Sequence, residues 1–179
     1  MQAFLKFSAG VDAMNRWFGY IASFCVLVAC LVSSGNAGLR YLFSLGSNAW
    51  LEMQWYLFAY LVMLGAAHVL KVNEHVRVDL IYGMLGVRGK IWVDLLGFLV
   101  FLMPATLYLF WLCVPPFVDA WHTGEISPNA GGLVRWPARL ALPIGFALVA
   151  LQGVSEIVKR IAMLTGHLTA EVNYERPLQ

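Results

Sequence analysis

The sequence is poor in charge. Only 12% of its 179 residues are Asp, Glu, Lys or Arg, against about 25% in an average soluble domain. Hydrophobic residues make up 60%. A water-soluble chain of this size hides about 70% of its surface in one core, too little for this composition, so a soluble globular domain is excluded. Disorder requires the opposite composition. Charge of one sign is lacking too: 12 basic residues face 10 acidic ones, without the basic excess of a nucleic-acid binder. Cysteine is scarce. Cys25, Cys30 and Cys113 all fall in apolar runs and none forms a C-x-x-C pair, so neither a disulfide nor a metal framework is indicated. No P-loop, H-E-x-x-H or G-x-S-x-G occurs, so the chain reads as a non-enzyme. Low-complexity stretches and clear internal repeats are absent as well.

What the chain has in quantity is long apolar runs. About 20 residues of helix cross the roughly 30 Å hydrocarbon core of a bilayer. Four charge-free windows have the right scale: Trp17–Leu39, Met53–Leu70, Leu95–Val118 and Leu140–Ser155. The last is shorter, and Arg139 and Lys159 extend it by reaching toward the headgroups. The expectation is an all-α membrane protein, a single domain over 1–179, with transmembrane helices at about 17–39, 53–71, 92–116 and 138–159 and a four-helix bundle as the simplest arrangement. Val76–Val87 has the pattern of a short amphipathic helix at the membrane interface between spans two and three, although Gly83, Gly86 and Gly89 count against it. The segment from Gly166 to Gln179 reads as a loose polar tail.

Lys and Arg in the loops give the orientation. Lys6, Arg16, Lys71, Arg77, Arg88, Lys90, Lys159, Arg160 and Arg176 fall on the side of the termini, and Arg40, Arg135 and Arg139 on the other. Nine against three predicts cytoplasmic termini. Trp50, Trp55, Trp121 and Trp136 mark the outer boundary, and Trp17 and Trp92 the inner one, as expected of an apolar ring with one N–H donor. The first apolar run is too long for an ordinary cleaved signal and lacks a small-x-small end. Leu27-Val28-Ala29-Cys30 is similar to a lipoprotein processing box, but the run continues beyond it, which favours Cys30 as a small residue inside a helix.

Ionisable side chains are missing from the span centres, where an ion-coupled carrier needs acidic groups or broken helices. Asn36, beside Ser33 and Ser34, is either a ligand contact or, more commonly, a link between helices. Pro104 marks a hinge or, more commonly, a local kink satisfied by neighbouring helices. Of four histidines, His68 and His75 flank the inner end of span two, and His122 and His167 lie elsewhere. Seven residues separate the first pair, about 10 Å along a helix, too far to hold one haem iron between them. The remaining candidates sit at span ends. Arg40 and Glu52 bracket the first outer loop and are placed to pair. His75, Arg77 and Asp79 form His-Val-Arg-Val-Asp, either a solvated topogenic loop or a dock for another chain. Asp94 needs a protein partner, with Arg88 and Lys90 nearest in sequence.

Several stretches together resemble the small membrane subunit, the Q-type permease (DctQ-like), of tripartite ATP-independent periplasmic (TRAP) transporters. They are Asn36-Ala37-Gly38-Leu39-Arg40-Tyr41-Leu42-Phe43, Glu52-Met53-Gln54-Trp55-Tyr56-Leu57-Phe58 running to Leu64-Gly65-Ala66-Ala67, His75-Val76-Arg77-Val78-Asp79, and Trp136-Pro137 leading to Leu142-Pro143-Ile144-Gly145-Phe146. Leu151-Gln152-Gly153-Val154-Ser155-Glu156 is similar to a branch named for mannitol and chloroaromatic compounds, a name that assigns no substrate. The resemblance implies a non-catalytic scaffold in the bacterial inner membrane. It would sit beside a large M-type subunit that holds substrate and coupling ion, usually sodium, so that no cofactor is expected in this chain. A periplasmic binding protein would deliver an organic acid or related solute. On this reading Asn36, Arg40, Glu52, His75, Arg77, Asp79 and Asp94 are candidate contacts with the large subunit, and Glu125, Arg135 and Arg139 with the binding protein. Membrane lipid is the surrounding partner. A self-sufficient small carrier and a haem or quinone redox subunit are the alternatives.

Overall fold

A computed structural model describes residues 1–72, 82 and 84–168. The elements are α1 (Gln2–Phe43), α2 (Asn48–Val72), α3 (Val87–Leu96), a π-helical segment (Gly97–Leu102), α4 (Met103–Thr123) and α5 (Trp136–Leu164). The α3–π–α4 stretch is one continuous rod. Among the described residues, four helices are therefore long and apolar enough to cross a membrane: α1, α2, the rod and α5. The expected interfacial helix over Val76–Val87 lies largely outside the described residues.

The helices run antiparallel. The start of α1 meets the end of α5, with the Ser8 and Ser155 hydroxyls 2.6 Å apart. This is the terminal end of the bundle; the α1–α2 turn and the α4–α5 loop form the loop end. Helix α5 is the hub. It packs against α1, α2 and the rod, whereas α1 and α2 pack chiefly on each other and on α5. Among the described residues the rod docks chiefly on α5, leaving Phe101, Tyr108, Trp111 and Trp121 exposed.

Helix α1 is longer than the span read from the sequence. Its 42 residues rise about 63 Å, and its first fifteen or so precede the charge-free window. They are helical because they continue the packing stripe. Ser8, Val11, Asn15, Gly19, Ala22, Cys25 and Ala29 are the buried residues of α1, spaced by three and four as one helical face requires. All are small or short except Val11 and Asn15, which lets neighbouring backbones approach. Beyond Ala29 no residue of α1 is buried.

Ala22, Leu64, Ala67 and Leu148 form the core where α1, α2 and α5 meet. Gly145 is the tightest point. A Cβ there would lie 2.5 Å from the Met63 Cβ and 2.9 Å from the Met63 carbonyl oxygen. At Gly65 an added Cβ would stand 3.5 Å from that of Ala22, an ordinary contact. Gly145→Ala is therefore expected to lower stability by about 1–3 kcal/mol through overpacking, and Gly65→Ala to be near neutral. Melting curves in detergent check the contrast, and equal behaviour of the two variants would refute it.

The π-helical segment explains Pro104. Proline has no N–H to donate, and its ring crowds the carbonyl four residues earlier. The wider turn at Gly97–Leu102, closed by Met103 N–H bonding the Phe98 carbonyl, absorbs that conflict. Thr106 donates to the Leu102 carbonyl at 2.8 Å. The helix thus continues through Pro104 without a break, and the bonds seen there lie within the rod itself rather than in neighbouring helices.

Candidate functional site

Two polar clusters occupy opposite ends of the bundle. At the loop end the organiser is Glu52, one turn into α2 and only 3% exposed. Its carboxylate accepts hydrogen bonds from the Ser127 hydroxyl, from Asn129 Nδ2 at 2.8 Å and from the Leu133 backbone N–H at 2.7 Å. These donors belong to the α4–α5 loop, which doubles back as a small hairpin. Ile126 bridges Val134, Arg135 N–H reaches the Glu125 carbonyl at 2.8 Å, and Gly131 takes the left-handed conformation at φ 69° that its tip needs. Asn48, Tyr56 and Tyr60 donate to the carbonyls of Ala130, Val134 and Pro137. The face of α2 thus holds the loop in place. The pairing of Glu52 with Arg40 expected from the sequence does not form: the Glu52 oxygens are taken by the loop, and the Arg40 side chain points into a separate cleft with Asn36.

Glu125, Arg135 and Arg139 do come together. Arg135 lies 2.6 Å and Arg139 2.8 Å from the Glu125 carboxylate. The hydrogen bond and charge of Glu125 raise the Arg135 guanidinium still further above its ordinary range. Beside this triad a depression of about 340 Å³ is lined by Trp55, Tyr56, Pro128 and both arginines, with Glu52 at its side. Trp121 and Trp136 meet edge to face, 4.6 Å between centroids, at the end where the sequence placed both.

The terminal end holds a denser network, and sequence reasoning missed most of it. Asn15 donates to Gln152 at 2.7 Å; both are fully buried. Gln152 Nε2 donates to Asp12 at 2.9 Å and to Glu156 at 3.0 Å. Lys159 bridges the two carboxylates, 2.8 Å from Asp12 and 2.7 Å from Glu156. Lys71 donates to the Asp12 carbonyl at 3.2 Å, which ties α2 into the same knot. Next to it, Arg160 pairs with Asp94 at 3.1 Å, approaches Glu156 at 3.6 Å and stands over the Phe98 ring. Asp94 also accepts from the Tyr82 hydroxyl at 3.1 Å, and Lys90 lies over the Tyr82 ring. Arg160, 66 residues away in sequence, is therefore a partner of Asp94, where the sequence pointed to the neighbouring Arg88 or Lys90. Charged groups at this depth are stable only when paired and hydrogen-bonded.

The other candidates sort simply. His75, Arg77 and Asp79 lie outside the described residues. His68 packs its ring against Gly19, 2.8 Å from where a Cβ would stand, so its bulk serves the contact between α1 and α2. The Asn15 Oδ1 and His68 Nδ1 have no hydrogen-bond partner among the described residues. No group of three or more His, Cys, Asp or Glu is arranged to hold a metal ion among them.

Four apolar spans, three of them packed around the fourth, with polar clusters at the ends among the described residues, define a multi-pass helical membrane protein. The family model for the DctQ component of the tripartite ATP-independent periplasmic transporters matches residues 29–163, about three quarters of the chain. The chain belongs to this family and is the small membrane subunit of a TRAP transporter. No curated protein and no solved structure matches it.

Proposed function

We propose that this subunit is a non-catalytic scaffold for the large membrane subunit during ion-coupled uptake of an organic acid or related solute delivered by a periplasmic binding protein, with sodium as the coupling ion on the large subunit. It sits in the bacterial inner membrane with cytoplasmic termini, as the nine-to-three distribution of basic residues favours. One observation carries the reading. The buried charges are satisfied at the bundle ends, Asp12 and Glu156 by Lys159, Asp94 by Arg160 and Glu52 by the α4–α5 loop, while the middle of the bundle is packed by Ala22, Leu64, Ala67 and Leu148. Transport by a moving domain requires a fixed one. A rigid four-span partner widens the fixed footprint in lipid and resists its tilting. The exposed apolar faces of the rod and of α1 supply contact area.

On this reading the subunit copurifies with a much larger multi-span chain. Proteoliposomes take up solute only when both membrane subunits and the binding protein are present. Uptake by this chain alone would overturn the scaffold role. The Glu125–Arg135–Arg139 triad is the proposed touch point for the binding protein, where charge acts on encounter more than on affinity. Reversing Glu125 and Arg135 together keeps their mutual attraction, exchanges their positions and sets a guanidinium beside Arg139, which loses its bond to Glu125. Docking is expected to slow while the subunit stays folded, and unchanged docking and uptake would remove the triad from that role.

A further inference from the structure

The last turns of α1 stand clear of the bundle, and a cleft of about 540 Å³ opens between them and the start of α2. Its walls are Ser33, Asn36, Arg40 and Tyr41 on α1 and Leu51 and Gln54 on α2. We propose that this cleft binds the phosphodiester of a membrane glycerophospholipid, with Arg40 as its cationic anchor.

Four observations converge on that ligand. First, Arg40 is the uncommitted cation of the loop end. Its side chain is exposed and makes no hydrogen bond or ion pair among the described residues, whereas Arg135 and Arg139 are held by Glu125. The nearest carboxylate in sequence along α2, Glu52, is occupied by the α4–α5 loop. A guanidinium offers a planar fork of donors suited to phosphate oxygens. Second, the remaining polar groups suit the rest of the headgroup. The amides of Asn36 and Gln54 and the hydroxyls of Ser33 and Tyr41 can donate to phosphate or to glycerol ester oxygens. Leu51 lies in the first turn of α2, whose unpaired N–H groups carry partial positive charge. The opposing partial charge at the end of α1 is outweighed by the full charge of Arg40.

Third, the depth is right. Arg40 directly follows the charge-free run from Trp17, whose 23 residues rise about 34 Å, which puts the guanidinium at headgroup level on one face of the bilayer. Fourth, the walls continue as apolar tracks. Steps of three and four residues lead from Ala37 and Ser33 to Cys30 and Val26 on α1, and from Gln54 to Phe58 and Val62 on α2, all of them exposed beyond Gln54. A free anion has no use for these tracks, but acyl chains do. The volume also falls within the usual range for small-ligand sites, about 300–1,000 Å³.

The inference rests on the reading of these helices as membrane spans. A chain that stays dispersed without detergent would defeat that reading, independently of what the cleft binds. The test uses the full subunit purified in mild detergent and examined by native mass spectrometry after adding dioleoylphosphatidylglycerol. One lipid per chain is expected to survive activation. Arg40→Gln is expected to lower the retained fraction about tenfold, the loss of one charge-assisted contact; Arg40→Lys is expected to keep most of it, and Gln54→Leu to lose a smaller part. Dioleoylglycerol, which lacks phosphate, and inorganic phosphate, which lacks chains, are each expected to bind poorly. Equal retention by the wild type and Arg40→Gln would overturn the proposal. So would inorganic phosphate binding as well as the lipid in an Arg40-dependent way, which would make the cleft a free-anion site. An acidic partner segment occupying Arg40 would appear as lipid excluded from the assembled transporter, and would overturn it too.

Discussion

Lys159→Met is expected to lower the melting temperature of the subunit in detergent by on the order of 10 °C. Lys159 is the single ammonium 2.8 Å from Asp12 and 2.7 Å from Glu156, and its side chain is 20% exposed against 19% and 5% for its partners. Methionine matches its length and apolar stem but leaves the two carboxylates facing each other across Gln152. Removing one partner of a buried ionic group costs about 3–5 kcal/mol, and for a chain of this size each kcal/mol moves the midpoint by roughly 2–4 °C. Two controls isolate the cause. Lys159→Arg keeps the charge and is expected to stay near the wild type. Asp12→Asn combined with Lys159→Met removes one charge of each sign, leaves Glu156 to Arg160, and is expected to recover a large part of the loss. Additive losses in the double variant would show that the two residues act separately, and the network would lose its place as the clamp between α1 and α5.

Glu52→Leu is expected to release the α4–α5 loop. The variant leaves the Leu133 N–H, the Ser127 hydroxyl and the Asn129 amide facing an apolar side chain. Hydrogen bonds to charged groups contribute about 1.5–3 kcal/mol each and are not additive, so a total loss of about 3 kcal/mol is a reasonable expectation. Tryptic cleavage after Arg135 is the direct readout, and the rate should rise at least several-fold because the hairpin that holds Arg135 is no longer tied to α2. Arg40→Ala is the decisive comparison. It should leave the loop as protected as in the wild type, since Glu52 does not depend on Arg40. If Arg40→Ala exposed the loop as much as Glu52→Leu, the loop would be held through Arg40 and the geometry described above would be wrong.

The spans were legible because apolar windows of bilayer length have few other uses. Their ends were less so. Reading a span by its freedom from charge starts α1 at Trp17, yet the helix begins at Gln2, because Asp12 is neutralised by Lys159 rather than by water. The three-and-four spacing from Ser8 through Asn15 to Ala29 carried the longer helix in plain view. Partnerships were harder. Arg40 and Glu52 looked like a pair because only a short turn separates them, but the donors to Glu52 lie 75 to 81 residues along the chain, beyond any local pattern. Asp94 and Arg160 are separated in the same way. Gln152 sat inside an apolar run, and its position there was itself the signal. A fully buried amide must find partners, and a search for its complements would have pointed to the short polar side chains of early α1.

The position of α5 at the hub bears on how the subunit is made. A chain is synthesised from its N-terminus, so α1 and α2 enter the bilayer while α5 is still in the ribosome. They can pair at once, since their contact is direct. The third span lacks its main docking surface until the last helix arrives, and the side chains of Asp12 and Asn15 wait for Lys159 and Gln152. Assembly is therefore closed from the C-terminal side: a ribosome that stalls before residue 159 leaves an open, unneutralised half-bundle exposed to membrane proteases.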